Sequence, residues 1–143
     1  MDAPILAPAA VLVLWSLVIL LWTVLTRFPA FANAGIKAAD ATPGSRYQDI
    51  ETLLPDRVNW KSHNYTHLME QPTLFYATVA ILALAGEGSG LNLILAWTYV
   101  GLRIVHSLWQ TLVNTLPVRI GLFALSSTVL IAMAVNAAVA TLF

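Results

Sequence analysis

The sequence predicts an all-α integral membrane protein with four transmembrane helices, and three observations carry that prediction. Hydrophobic residues make up 59% of the 143, and mean hydropathy is +0.77, which is membrane-class composition. Four apolar stretches of spanning length, about 20 residues each, use most of the chain. Charge is segregated: it crowds between Arg27 and Lys61, and beyond that only Glu70, Glu87, Arg103 and Arg119 are charged. One membrane domain over residues 1–143 is the economical reading, with spans near 5–26, 60–85, 91–114 and 117–142 and a polar connection at 28–59. Zero net charge gives no electrostatic footprint for nucleic acid. The absence of cysteine excludes disulfides, thiolate nucleophiles and cysteine metal sites.

The first span opens at Pro4–Ile5 and is expected to stop at Thr26, with Arg27 at the interface. Its leading segment carries Asp2 and no basic residue, and its apolar run exceeds that of a signal peptide, so it reads as a retained span. In the connection, Ser45 and Gln48 fit a capping box, and Tyr47, Ile50, Leu53 and Leu54 recur at helical spacing until Pro55. A short amphipathic helix on the membrane surface is expected there, with an ordinary loop as the alternative. Asp56 is expected to cap the second span. Pro72 lies inside that span and deprives the Leu68 carbonyl of its helical donor. The run Gly86–Gly90 reads as a turn, and Pro117 as a first-turn proline of the fourth span. The stretch 28–62, which includes Lys61 at the entry to the second span, holds four of the seven basic residues, which is expected to place it in the cytoplasm and both termini on the opposite side.

Ionisable residues inside the spans mark the candidate site. A charge at bilayer depth costs about 2.5–3.5 kcal/mol on insertion scales, so such residues pair or line a polar cavity. In the third span Tyr99, Arg103, His106, Gln110 and Asn114 follow at intervals of 4, 3, 4 and 4 and share one face. That face must meet protein or water. In the second span His63, His67 and Glu70 share a face at i, i+4 and i+7. Antiparallel packing brings the two rows to comparable depth, so Glu70–Arg103 is the expected ion pair. Arg119 at the mouth of the fourth span adds a second cation, and Tyr76 and Trp109 are expected to floor the pocket. Three readings fit: an arginine-rich site for carboxylates or a developing anion, a His/His/Glu metal triad, or a polar network that only binds helices together. The metal reading is the weaker of the first two, because its donors spread over two turns.

Read in order, His67-Leu-Met-Glu70-Gln-Pro72 leading to Leu74-Phe75-Tyr76, then Arg103-Ile-Val-His106-Ser107, Asn114 and Arg119, resemble the MAPEG family, membrane-associated proteins in eicosanoid and glutathione metabolism. The likeness covers the second to fourth spans and is to the bacterial branch. It implies a left-handed four-helix bundle assembled as a homotrimer in the inner membrane, with glutathione as co-substrate between protomers. By motif, Glu70 matches the family glutamate, Arg103 the arginine of the third span, and Arg119 the thiolate-stabilising arginine. Glutathione-using relatives show Arg-x3-Asn-x2-Glu where this chain reads His63, His67 and Glu70. A neutral histidine holds a carboxylate less well than arginine.

Two functions follow. One is a glutathione-dependent transferase or peroxidase acting on a lipophilic substrate, with Arg119 catalytic and His63, His67, Glu70, Arg103, His106 and Gln110 binding. The other is a non-catalytic bundle that binds lipid or quinone-like molecules, or serves as an accessory subunit of a larger membrane complex. Trp15, Trp22, Trp97 and Trp109 would supply its apolar contacts.

Overall fold

A computed structural model describes residues 3–143, and every regular element among them is helical. The long helices are α1 (Leu6–Asn33), α3 (Asp56–Leu84), α4 (Gly90–Leu112) and α5 (Leu116–Leu142); a single turn, α2 (Tyr47–Ile50), lies in the connection. Helices α1, α4 and α5 are each long and apolar enough to cross a membrane. Helix α3 has the length, 29 residues, but its first half carries Asp56, Arg57, Lys61 and Glu70. The four pack together: α3 touches α1, α4 and α5, and α4 touches α1 and α5.

The bundle holds a seam of polar residues within an apolar core and is apolar outside. Leu14, Leu21, Leu25 and Ile131 are each more than half exposed, while Asn64, Arg103, Ser107 and Ser126 are fully buried. Water would penalise that distribution; hydrocarbon favours it, since lipid rewards exposed leucine and forbids unpaired polar groups. Hydroxyls within the helices satisfy themselves by donating to carbonyls one turn back, as Ser16 does to Leu12 at 2.9 Å and Thr23 to Ile19 at 2.8 Å. Ser126 and Ser127 both donate to the Phe123 carbonyl, a backbone role in place of a nucleophilic one.

Helix ends differ from the sequence expectation in instructive ways. Helix α1 does not stop at Thr26 but continues through Pro29 to Asn33. What ends it is Gly35, at φ +69°, which lets the Ile36 and Gly35 amides close onto the Phe31 and Ala32 carbonyls at 3.0 and 3.2 Å. A charge such as Arg27 marks where lipid ends; it does not stop a helix. The Arg27 guanidinium lies 3.5 Å over the Tyr47 ring and donates to Ser62, tying α1 to the connection and to α3. The Tyr47 hydroxyl meets Asn59, and burial pushes this phenol above its ordinary range.

The capping box expected from Ser45 and Gln48 is displaced by one residue: the Asp49 carboxylate accepts from the Arg46 amide at 2.7 Å. Of the expected apolar row, Tyr47 and Ile50 are half-buried and Leu54 buried, but Leu53 is 61% exposed. Asp56 occupies the first turn of α3 without capping it; Pro55 stands at the cap and its carbonyl accepts from Val58. Helix α3 ends on Gly86, at φ +78°, with Glu87 and Gly86 amides returning to Leu82 and Ala83. Two residues on, the Gly88 carbonyl accepts from the Ile5 amide at 3.2 Å, anchoring the start of α1.

Candidate functional site

Where α3, α4 and α5 meet, the polar row of α4 turns inward as its spacing requires. Tyr99 and Arg103 are wholly buried, His106 and Gln110 nearly so. The Arg103 guanidinium reaches α3: Nη2 donates to the His67 carbonyl at 3.0 Å and to His67 Nδ1 at 3.1 Å. Guanidinium only donates, so Nδ1 is the acceptor and the ring proton of His67 sits on Nε2. The His106 ring stacks on His67 at 4.9 Å between centroids and 17° between planes, and Phe123 of α5 meets His67 edge-on at 5.4 Å. Arg119 lies one turn before Phe123. Its Nη1 donates to the Asn114 Oδ1 at 2.8 Å.

The ion pair expected between Glu70 and Arg103 is not made within the chain. Glu70 is exposed, and among the described residues no lysine or arginine side-chain nitrogen lies within 4.0 Å of a carboxylate. His67 takes the position at Arg103 instead. Arg103 Nε and Nη1, Arg119 Nε and Gln110 Oε1 are buried without partners. Arg103 is wholly buried and Arg119 half-buried; both keep free donors with no carboxylate within ion-pairing distance, and such cations are equipped to receive an anion. His63 departs from the expected group as well: half-exposed, it pairs with Glu51 of the connection. The His63–His67–Glu70 row is therefore not gathered onto one ligand, and among the described residues no three His, Asp or Glu side chains stand close enough to hold a metal ion. Of the two expected aromatics, Tyr76 is half-buried with an unpartnered hydroxyl, while the Trp109 indole donates to Thr115 Oγ1 at 2.9 Å.

Sequence reasoning missed the contacts that fasten this site. Asn64 is fully buried and donates from Nδ2 to Ser107 Oγ at 2.7 Å and Thr111 Oγ1 at 2.8 Å, bridging α3 to α4. The Trp15 indole of α1 donates to the same Ser107 at 3.0 Å. Further up, Tyr99 donates to Gln71 Oε1 at 3.3 Å, and Gln71 Nε2 donates to Ser127 of α5 at 2.7 Å. The available signal was Asn64, Leu68 and Phe75 at i, i+4 and i+11, a second row of α3 that carries the packing. Beside Gln71 and Ser127 runs a groove of about 330 Å³ between α3 and α5, walled by Leu74, Ile81, Leu130 and Ile131.

Comparison with known proteins agrees with this architecture. A model of the MAPEG family matches residues 5–139. No curated protein and no solved structure matches the chain. The family match spans nearly the whole chain and takes in every long helix and every residue of the polar site: this integral membrane protein belongs to the MAPEG family.

Proposed function

We propose that the protein is a glutathione-dependent transferase or peroxidase that acts on a lipophilic substrate. The observation that carries the reading is a pair of arginines, Arg103 wholly buried and Arg119 half-buried, each with buried donor nitrogens unpartnered and no carboxylate within ion-pairing distance. Glutathione supplies the missing charge through its two carboxylates and its thiolate. In this reading Arg119 stabilises the thiolate, Arg103 and Gln110 hold the tripeptide, and His67 and His106 line the contact as hydrogen-bonding rings. His63, tied to Glu51, belongs to the mouth.

The same reading has α3 cross the membrane as the second span, beside α1, α4 and α5, in a left-handed bundle. The connection then lies on the cytoplasmic side of a bacterial inner membrane and both termini lie outside. Glu70 supports assembly into a homotrimer: an exposed carboxylate on a spanning helix costs about 2.5–3.5 kcal/mol against lipid and is relieved by a neighbouring protomer. The apolar groove beside Gln71 and Ser127 gives a lipophilic molecule a place to lie. That groove also favours a second reading, a non-catalytic lipid- or quinone-binding subunit of a larger complex.

Isothermal calorimetry in detergent tests the first reading. Glutathione is expected to bind with sub-millimolar to millimolar affinity, and Arg119→Ala to lower turnover far more than affinity. Absence of any binding heat with the wild-type protein overturns it. The mass of the native complex separates the readings: a symmetric trimer supports the enzyme, a single copy among other subunits the accessory role.

A further inference from the structure

We propose that Asn114 is a positioning residue: its side-chain carbonyl holds Arg119 by Nη1 and leaves the Nε–Nη2 edge of the guanidinium free for the glutathione sulfur. The inference rests on the glutathione reading of the site and assigns a role to a residue outside the groups that would touch the tripeptide.

The argument begins at the backbone. Asn114 is the one non-glycine residue with positive φ among the described residues, at 60°. It ends α4, where the Val113 and Asn114 amides both donate to the Trp109 carbonyl, at 2.9 and 2.7 Å. Asparagine tolerates this conformation well, so a helix-ending role alone would explain its presence. It would not explain the side chain. The αL conformation carries the Asn114 carboxamide across the short connection to α5, where Oδ1 accepts from Arg119 Nη1 at 2.8 Å. The anchor is itself braced, since the Trp109 indole donates to Thr115 Oγ1 on the far side of the same turn.

The consequence is directional. A guanidinium has a fork edge made of Nε–H and one Nη2–H, which point the same way, while Nη1 lies at the other end. Tethering Nη1 fixes rotation about the terminal bonds and leaves the fork edge unoccupied. Nε is buried without a partner, and Nη2 has no hydrogen bond within the described residues. When glutathione ionises there, the thiol proton leaves to solvent and the electron pair stays on sulfur, facing two fixed donors. A free arginine would have to be ordered at that moment; a tethered one is already placed.

Asn114→Gly tests this, because glycine keeps the backbone conformation and removes only the carboxamide. The readout is the ultraviolet absorbance of the bound thiolate followed against pH, with kcat and KM measured beside it. The variant is expected to titrate about one pH unit higher, leaving roughly tenfold less thiolate at any pH well below both midpoints. Its kcat should fall in step while KM changes little. In an Arg119→Ala background the same substitution should add nothing, since the effect runs through Arg119. Equal titration in wild type and Asn114→Gly overturns the inference, and so does an additive effect in the Arg119→Ala background. If the glycine variant does not fold, Asn114→Ala serves: it also removes the Oδ1 acceptor, at the strain of a Cβ residue in the αL conformation, and an unchanged titration is the overturning result. Wild-type protein that binds no glutathione removes the functional reading and this inference together; binding with an unmoved titration removes this inference alone.

Discussion

Asn64→Ala is the perturbation whose cost can be worked most directly from the geometry. The side chain is fully buried and spends one amide nitrogen on two hydroxyls, Ser107 at 2.7 Å and Thr111 at 2.8 Å. Interhelical hydrogen bonds in membrane proteins average about 0.6 kcal/mol and reach about 1.7 kcal/mol, because the unfolded chain in lipid also finds partners. Two average bonds give a loss of about 1.2 kcal/mol, just under a tenfold change in the unfolding equilibrium. The loss should not climb to the cost of several orphaned groups. Ser107 keeps the Trp15 indole as a donor, and the Thr111 hydroxyl can turn back to its own helix. Reversible unfolding in mixed micelles, followed by tryptophan fluorescence, measures the difference. A double-mutant cycle with Thr111→Val isolates one bond and should return a coupling of about 0.6 kcal/mol. A coupling indistinguishable from zero would refute the bridge, and a single-variant loss above about 3 kcal/mol would refute the membrane scale for these bonds.

Two further outcomes follow from the same geometry. Arg103→Leu removes a wholly buried cation that has no carboxylate partner, so stability should hold or rise. Glutathione affinity should fall by at least about tenfold, the value of one charge-assisted hydrogen bond; reduced stability with unchanged affinity in calorimetry would show Arg103 to be purely structural. At Gly88 an added methyl would sit 2.9 Å from Ile5 Cγ2, and Ile5 is fully buried and stiff at χ1. Gly88→Ala should therefore cost about 1–3 kcal/mol by displacing the start of α1, and a thermal midpoint equal to wild type would contradict that packing.

The helices were legible because lipid makes the rule simple: long apolar runs must be helical, and their polar residues must face inward. The α4 stripe Tyr99–Arg103–His106–Gln110 obeyed it in full. Helix α3 did not, and the reason is rotational. At about 100° per residue, His63, His67 and Glu70 do share a face. That face is not the packed one. The buried stripe of α3 runs through Asn64, Leu68, Phe75, Val79 and Leu82, centred roughly 85° around from His67 and roughly 145° from Glu70. His67 sits at the rim of the stripe, close enough for Arg103 to reach its ring and its carbonyl; Glu70 lies well outside it. Spacing alone ranks residues relative to one another and says nothing about which side the neighbouring helix occupies. The apolar members of α3 carried that information, and the charged members drew attention from it. The result is a site in which Arg103 is enclosed by the bundle and Arg119 half-buried, while Glu70 stands on the outer face. Within a single chain, charges placed that way form no direct ion pair, which is why the proposed reading looks to an external anion for Arg103 and Arg119.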